Sequence, residues 1–374
     1  YEEINERDDA MADRAYLPWV DMQESLERRG IRLFGLESRV PLGEFDLVGI
    51  TLQHELTYAN VARVLGLAGI PLTAAERGEG VPLVIGGGPG AFNPEPVAEL
   101  FDLLVLGEGE EVLHELIDAV KGWKSTERRE RGALLRACAA IPGVYVPSLY
   151  SVHYRPDGAI ESIEAERGAP MPVRKRRLTD LDRWRHPRRP VIPLVEPVHD
   201  RCSLEIFRGC TRGCRFCQAG MIYRPVRERP VTEVLDAVDE VLANTGHTEV
   251  GLLSLSSSDH SGIAEIVQGV LARHEGRRVA VSLPSLRIDS FSVQLAEMIQ
   301  STRKTGFTFA PEAGSQRLRD VINKGVTEDD LLRTAEAAFS AGWNRIKVYF
   351  MIGLPTETDD DVLEMARLIR TLQA

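Results

Sequence analysis

Two patterns of apolar residues alternate along the first third of the chain. Short apolar runs, typical of buried strands, precede longer segments whose apolar residues recur every three or four positions, as on one helix face. The predicted strands are 45–52, 82–85 and 101–106, and the predicted helices are 58–72 and 112–123. Because strands that are apolar on both faces need helices on both sides, the pattern predicts a parallel α/β sheet.

Glycine-rich segments follow the predicted strands of this region. Gly87 and Gly88 follow the second strand, and Gly107 and Glu108 follow the third. Such turns lie at the carboxyl edge of a parallel sheet, where ligands bind. We therefore expect a Rossmann-like domain over residues 1–141. The alternative is that these glycines only make tight turns.

The pattern changes at residue 142. Two short alternating runs flank Asp157-Gly158, which predicts a β-hairpin closed by an Asp-Gly turn. A basic stretch interrupted by prolines follows, with eight Lys and Arg residues between Arg174 and Arg189. We assign residues 142–200 to this hairpin and a basic linker.

Alternating strands and helices return in residues 201–374. The predicted strands are 204–207, 249–255, 278–283, 304–309 and 345–351, and the helices between them are 231–243, 262–273, 292–300 and 328–341. The strands follow one another at roughly 35 residues, the size of one βαβ unit. Five successive units predict a partial TIM-like β/α barrel, whose reactive groups would lie at the carboxyl ends of the strands.

Composition narrows the possible functions. The net charge of −11 argues against binding nucleic acid through bulk positive charge. No apolar run approaches the roughly 20 residues of a membrane span, and the acidic start does not resemble a signal peptide. Five cysteines, three of them clustered, favour a reducing, cytoplasmic location. Because the chain lacks an initiator Met and both ends fall in helix-like segments, we expect a fragment of a longer protein.

The clustered cysteines are Cys210, Cys214 and Cys217, and glycines at 209 and 213 allow their thiolates to converge. Nucleophilic catalysis needs one activated thiol, and a structural zinc needs a fourth ligand. An iron–sulfur cluster of four irons held by three cysteines keeps one iron free for another ligand. The spacing favours such a cluster, and a zinc-stapled, non-enzymatic interaction protein is the alternative.

The Cys-x3-Cys-x2-Cys spacing after the first barrel strand, with Phe216 before the last cysteine, resembles the radical S-adenosylmethionine superfamily. The resemblance implies an enzyme in which Cys210, Cys214 and Cys217 ligate a 4Fe-4S cluster. The free iron would bind S-adenosylmethionine. An electron from an external donor, of the flavodoxin or ferredoxin type, would cleave it to methionine and a 5′-deoxyadenosyl radical.

The same resemblance implies an S-adenosylmethionine site at successive strand ends. The amine, carboxylate, ribose and adenine would be held after the second, third, fourth and fifth strands. In that order the residues are Ser256 and Ser257; Arg287; Glu312; and Ile352, Gly353 and Leu354, with Phe216 beside the nucleoside. Arg287 could instead form a surface salt bridge. Asp259 and His260 could transfer protons, although Asp259 could also cap a helix.

The first domain is similar to the cobalamin-binding-type domain that precedes many such barrels, on segments 38–46, 51–58, 86–95 and 107–111. This implies that Gly87, Gly88, Gly107 and Glu108 face a corrinoid, in a domain lacking its first strand. The Asp-x-His-x-x-Gly signature that supplies a lower ligand is absent. Cobalamin could then bind without a protein ligand, bind through the missing first strand, or not bind at all. The implied reaction is methyl transfer to an unactivated carbon or a radical rearrangement.

A second enzymatic hypothesis is RNA modification without cobalamin, as in the methylthiotransferases, whose barrels look similar. The basic stretch from Arg174 to Arg189, with Trp184, could contact RNA phosphates. The alternative is a linker whose charges are solvated or paired. The sequence does not identify the substrate.

Overall fold

The computed structural model describes residues 1–195, 197–277, 279–283, 287–288, 298 and 307–373. The chain divides into two compact units, Tyr1–Leu178 and Thr179–Ala374. The predicted helix 292–300 lies outside the described residues apart from Met298. The first residues of the predicted strand 304–309 lie outside them as well.

The first unit is built on a four-stranded sheet in the order β1-β2-β3-β4. The first three strands are parallel, and β4 is antiparallel to β3. The strands are β1 Leu47–Thr51, β2 Leu83–Gly87, β3 Leu103–Val105 and β4 Val144–Tyr145. The α-helices are α1 Glu2–Asn5, α2 Val20–Arg29, α3 Tyr58–Ala68, α4 Gly109–Lys124 and α5 Arg131–Ala139.

Helices cover both faces of this sheet. Along β2, Leu83 and Ile85 pack into the core beside α4 and α5, whereas Val84 packs into the core beside α2 and α3. Successive side chains of a strand point to opposite faces, so an apolar strand needs two covering layers. The predicted Rossmann-like architecture is confirmed.

The predicted hairpin is present. Strands β5 (Tyr150–Tyr154) and β6 (Ile160–Ala165) pair antiparallel, and Gly158 takes the left-handed φ of +83° that the turn requires. The hairpin lies within the first unit, and so does Leu178, which is 1% exposed. The boundary between the units therefore falls inside the basic stretch, whereas the sequence suggested a separate middle segment.

The second unit contains two parallel sheets that are separate within the described residues, one of order β11-β10-β7 and one of β12-β13. The strands are β7 Cys202–Glu205, β8 Phe207–Arg208, β9 Arg227–Glu228, β10 Glu249–Leu253, β11 Ala280–Ser282, β12 Phe307–Glu312 and β13 Ile346–Phe350. The α-helices are α6 Gln218–Ile222, α7 Val231–Thr245, α8 Ile263–Arg273, α9 Gln316–Val321, α10 Glu328–Ser340 and α11 Asp359–Gln373. Successive parallel strands of the chain lie side by side in each sheet, as in a β/α barrel, and the short β8–β9 pair is inserted between β7 and β10.

The helices in the described ranges are too short or too polar to cross a membrane.

A buried ion pair ties β2 to β3 in the first unit. The Asp102 carboxylate, 1% exposed, accepts hydrogen bonds from Arg77 Nη1 at 2.9 Å and Arg131 Nη2 at 2.8 Å. It also accepts from the backbone N–H of Val84 at 2.8 Å. Since the Arg77 side chain is fully buried, its charge needs compensation, and Asp102 supplies the carboxylate that is paired with it directly.

We predict that Asp102→Asn lowers the free energy of unfolding of the first unit by about 3–5 kcal/mol, because it leaves the Arg77 charge buried and unpaired. The matched control is Asp46→Asn, which breaks the exposed pair with Lys124 at 2.7 Å and should cost about 1 kcal/mol or less. Urea denaturation of the full chain measures both. Equal losses in the two variants would contradict the prediction.

Candidate metal and cofactor site

The three clustered cysteines lie on an irregular loop, Gly209–Cys217, called here the cysteine loop. It leaves β8, which pairs antiparallel with β9, so the intervening chain turns outward and returns. Gly209 has a φ of +95°, and a Cβ there would lie 2.5 Å from the carbonyl oxygen of Pro225. Only glycine fits at this position, which fixes the start of the loop beyond the first parallel strand of the unit.

The thiol groups of the loop are not in disulfides. Cys214 is 8% exposed, and Cys210 and Cys217 are half-buried. Cys217 Sγ accepts a hydrogen bond from the backbone N–H of Gly220 at 3.3 Å, which joins the end of the loop to α6.

The three thiols of the cysteine loop are the candidate ligands of a metal centre. Among the described residues, no three His, Cys, Asp or Glu side chains are placed around one metal ion. A single zinc draws all its ligands to one centre, whereas in a 4Fe-4S cluster each thiolate binds a different iron and the ligands stand farther apart. Three thiols outside disulfides on one irregular loop supply the donors that a 4Fe-4S cluster needs, and their binding of a cluster stays a prediction.

The cysteine loop is paired with the turn after β10. Asp259 accepts a hydrogen bond from Arg212 Nε at 2.9 Å. Burial raises the pKa of the Asp259 carboxyl, but the hydrogen bonds and charge of Arg212 outweigh burial, so this pKa lies below its ordinary value. Asp259 is therefore an ionised partner of the loop. It does not cap α8, because the N-cap of that helix is Gly262.

His260, in the same turn, is 4% exposed and has a partner at each ring nitrogen. Nδ1 accepts from the backbone N–H of Gly262 at 3.0 Å, so Nε2 carries the proton and donates to the carbonyl of Arg229 at 3.1 Å. Both nitrogens stabilise the turn, so the geometry favours a structural role over proton transfer.

The predicted amine-binding serines are both buried in this turn. The Ser257 hydroxyl donates to the carbonyl of Leu252 at 3.0 Å and lies 3.0 Å from the hydroxyl of Ser254. The backbone N–H of Ser256 donates to Ser254 Oγ at 3.2 Å. These bonds define the shape of the turn, and a role in holding the amine stays a prediction for Ser256 and Ser257.

A charged pair lies at the end of β12. Glu312 has an unusual positive φ of +69°, and its carboxylate accepts a hydrogen bond from Lys324 Nζ at 3.1 Å. The same ammonium lies 5.8 Å from the centroid of the Phe216 ring, and the carbonyl of Lys324 accepts from Arg287 Nη2 at 3.3 Å. The structure thus gathers three predicted S-adenosylmethionine contacts around a lysine.

Sequence reasoning missed Lys324. The only local signal is that Asn323 and Gly325 are residue types that end helices, which marks a turn after α9 and says nothing of what the turn contacts.

The predicted adenine-binding segment follows β13. Leu354 packs against a small cluster of Ala313, Leu318 and Ile322, close in the chain to Glu312. Ile352 is 77% exposed, and Gly353 has a φ of +89°. Only Leu354 of this segment is packed against the turn that carries Glu312, and the contact of all three with adenine stays a prediction.

The predicted corrinoid positions of the first unit differ among themselves. A Cβ built on Gly87 would meet no atom within 4 Å, whereas one on Gly88 would lie 2.9 Å from the carbonyl oxygen of Leu52. The backbone of Arg176 pairs with Gly107 closely enough that a Cβ there would overlap it. The Glu108 carboxylate accepts from the backbone N–H of Leu178. Other residues of the chain therefore occupy the space at the carboxyl end of β3, whereas the space beside Gly87, at the end of β2, is open.

The basic stretch is partly paired. Arg176 donates to Glu111 at 2.8 Å and to Glu115 at 2.7 Å, and Arg188 pairs with Glu240 at 3.2 Å. Residues 174–177 line an open cavity of about 560 Å³. Within the described part of the chain, the exposed side chains of Arg174 and Arg177 have no acidic partner.

Comparison with known proteins gives two family matches. Residues 1–147 match the model for radical SAM proteins, N-terminal, and residues 204–369 match the model for the radical SAM superfamily. One match therefore lies within each compact unit.

Individual relatives match over different lengths. An uncharacterized protein of Methanocaldococcus jannaschii is 29% identical over 352 residues, 92% of this chain and 66% of that protein. A tRNA-2-methylthio-N(6)-dimethylallyladenosine synthase of Thermotoga petrophila is 26% identical over 203 residues, 52% of this chain and 44% of that protein. The chain thus spans about half to two thirds of these relatives.

A solved structure shares the fold. The radical S-adenosylmethionine methyltransferase TsrM from Kitasatospora setae, with cobalamin and a 4Fe-4S cluster bound, has a TM-score of 0.58 and 18% identity. The match covers 95% of this chain and 63% of that one.

Proposed function

The chain belongs to the radical S-adenosylmethionine superfamily of enzymes, and we propose that Cys210, Cys214 and Cys217 hold its 4Fe-4S cluster. The observation that supports this most is the cysteine loop itself: three thiols outside disulfides on an open loop beyond the first parallel strand. When bound and reduced by an external flavodoxin- or ferredoxin-type donor, the cluster supplies the electron that cleaves S-adenosylmethionine to methionine and a 5′-deoxyadenosyl radical.

The residues around Lys324 would orient the nucleoside. The Glu312 carboxylate can accept hydrogen bonds from the ribose hydroxyls, and the Phe216 ring, 41% exposed, offers an apolar surface to the adenosine. The side chains of Glu312 and Lys324 are only 14% and 11% exposed, so their interaction is weakly screened by water. Glu312→Gln would keep an amide oxygen that can accept from Lys324 but would lose the negative charge that strengthens the hydrogen bonds to the lysine and to the ribose.

We predict that Cys214→Ala abolishes retention of the roughly four irons per chain that a three-cysteine 4Fe-4S cluster contains, because two thiolates do not hold it. The matched control is Cys138→Ala, which removes a buried thiol from α5. Iron and sulfide analysis after anaerobic reconstitution measures both variants. Full iron content in Cys214→Ala, or stoichiometric zinc without iron in the unmodified chain, would contradict the proposal.

The reaction that follows cleavage is proposed to be methyl transfer assisted by cobalamin. The fold shared with TsrM and the open space beside Gly87 support a corrinoid at the carboxyl end of β2. A corrinoid does not fit at the carboxyl end of β3, because Arg176 and Leu178 already form hydrogen bonds with Glu108 there. In this proposal Gly87 and Gly88 lie against the corrinoid, and Gly107 and Glu108 do not.

We predict that Gly87→Leu lowers retention of added hydroxocobalamin at least tenfold, since the leucine side chain would fill the open space at the carboxyl end of β2. Gly66→Leu is the control: it also places a leucine where no atom lies within 4 Å, but on α3. Visible absorbance after gel filtration reports the bound corrinoid. Equal retention by both variants, or none by the unmodified chain, would contradict this part of the proposal.

A second candidate function is RNA modification, and a specific observation favours it. Arg174 and Arg177 lie beside the cavity, with no acidic partner among the residues that the structure describes, while Arg176 is anchored to Glu111 and Glu115. A fixed backbone that presents two exposed guanidinium groups suits phosphate contacts. The similarity to a tRNA-modifying enzyme over half of the chain points the same way.

We predict that the double variant Arg174→Gln, Arg177→Gln weakens binding of a tRNA transcript and lowers the slope of affinity against salt by about one for each arginine. The charge-matched control is Arg128→Gln, Arg129→Gln, which neutralises two exposed arginines elsewhere in the first unit. Filter binding at several salt concentrations measures the slopes. Identical slopes for the two double variants would exclude RNA contact at this cavity.

A further inference from the structure

The segment Val321–Lys324, which is the last residue of α9 and the turn after it, contacts the middle of the cysteine loop from more than 100 residues away in the chain. The carbonyl of Ile322 accepts from the backbone N–H of Arg215 at 2.9 Å, and the carbonyl of Val321 accepts from the Arg215 guanidinium. The side-chain amide of Asn323 donates to the carbonyl of Gly213 at 2.9 Å. Three hydrogen bonds therefore join this segment to two adjacent parts of the loop.

Lys324 adds a charged contact to the same part of the loop. Its ammonium lies over the ring of Phe216 and bonds to Glu312 at the end of β12. A cation near an aromatic face is stabilised more strongly when water is restricted, and this lysine side chain is only 11% exposed.

These contacts fall next to the cysteines. Gly213 immediately precedes Cys214, and Phe216 immediately precedes Cys217. From Gly209 to Cys217 the loop contains no helix or strand, and the backbone hydrogen bond from the N–H of Cys217 to the carbonyl of Cys214 at 3.1 Å links only two of the three cysteines. Contacts from outside the loop must therefore help to fix the spacing of the three thiols.

The backbone is adapted to this contact on both sides. Asn323 has a φ of +53° and Gly213 a φ of +73°, both in the left-handed region. Asparagine is one of the few residues with a side chain that adopts this region at small cost. At Asn323, one residue thus supplies both the turn and the amide that reaches the loop.

We propose that the Val321–Lys324 segment is a latch that sets the position of the cysteine loop, in which Asn323 positions the residue before Cys214 and Lys324 links the residue before Cys217 to Glu312. Both are positioning residues. The functional consequence rests on the proposed cluster binding, whereas the latch itself is a property of the chain without iron.

The first test uses the full chain prepared without iron. Asn323→Asp keeps the size and backbone preference of the residue but removes the donor to Gly213. Because Cys214 is buried, its alkylation requires opening of the loop, and loss of one hydrogen bond should raise the iodoacetamide labelling rate of Cys214 about two- to tenfold. The matched control, Asn244→Asp, removes a side-chain bond of the same 2.9 Å length to the carbonyl of Arg188.

The labelling rates are read by peptide mass spectrometry. An unchanged Cys214 rate in Asn323→Asp, or an equal rise in Asn244→Asp, would overturn the proposal. If Asn323→Asp fails to fold, Asn323→Gly retains the left-handed turn, removes the same donor and must give the same increase. Iron retention in Cys214→Ala tests cluster binding separately, so faster labelling in a chain that never binds iron would sustain the latch and reject the cluster.

The second test concerns Lys324 in the reconstituted protein. Lys324→Met should weaken S-adenosylmethionine binding, measured as the change that the added ligand makes in the electron paramagnetic resonance spectrum of the reduced protein. Lys324→Arg should restore part of it. Lys347→Met is the control, because Lys347 also stacks on an aromatic ring, that of Tyr349, at 4.6 Å. A response in Lys324→Met equal to that of the control would overturn the part assigned to Lys324.

Discussion

The cysteine loop depends on segments that are distant in the chain, because it has no regular structure of its own between Gly209 and Cys217. Contact with Pro225 fixes where the loop begins, the pair with Asp259 fixes Arg212, and the turn after α9 holds the middle of the loop. Each contact comes from a different element of the second unit. The spacing of the three thiols is therefore a property of the unit and not of the loop alone.

The charge of the sequence around the cysteine loop is opposite in sign to the net charge of the chain. The protein carries a net charge of −11, yet six arginines and one glutamate lie between Arg208 and Arg229. Part of this charge is compensated by Asp259 and Glu205, so the arginines also orient the backbone that carries the cysteines.

In the first unit, the chain competes with any ligand for one edge of the sheet. Arg176 pairs with the backbone at Gly107, and its guanidinium is anchored to Glu111 and Glu115 on α4. A glycine turn after a strand is therefore not by itself a ligand site. Gly87, one strand away, has the space that Gly107 lacks, and the difference lies in what packs against each turn.

Much of the fold could be predicted from local patterns. Apolar periodicity gave the strands β1 to β3 and the helices between them, and Asp157-Gly158 gave the hairpin, because these signals act over a few neighbouring residues. The spacing of Cys210, Cys214 and Cys217 pointed to the chemistry for the same reason. The helix-cap alternative for Asp259 was wrong, since a cap is a local signal and its actual partner, Arg212, lies 47 residues away.

What the sequence by itself determined is the α/β class, the hairpin and the presence of three clustered thiols. Only the tertiary structure decided that Asn323, 110 residues from Gly213, contacts the cysteine loop, that Lys324 lies between Phe216 and Glu312, and that Arg176 covers Gly107. Such contacts depend on how every intervening helix and strand packs, and no pattern confined to neighbouring residues contains that information.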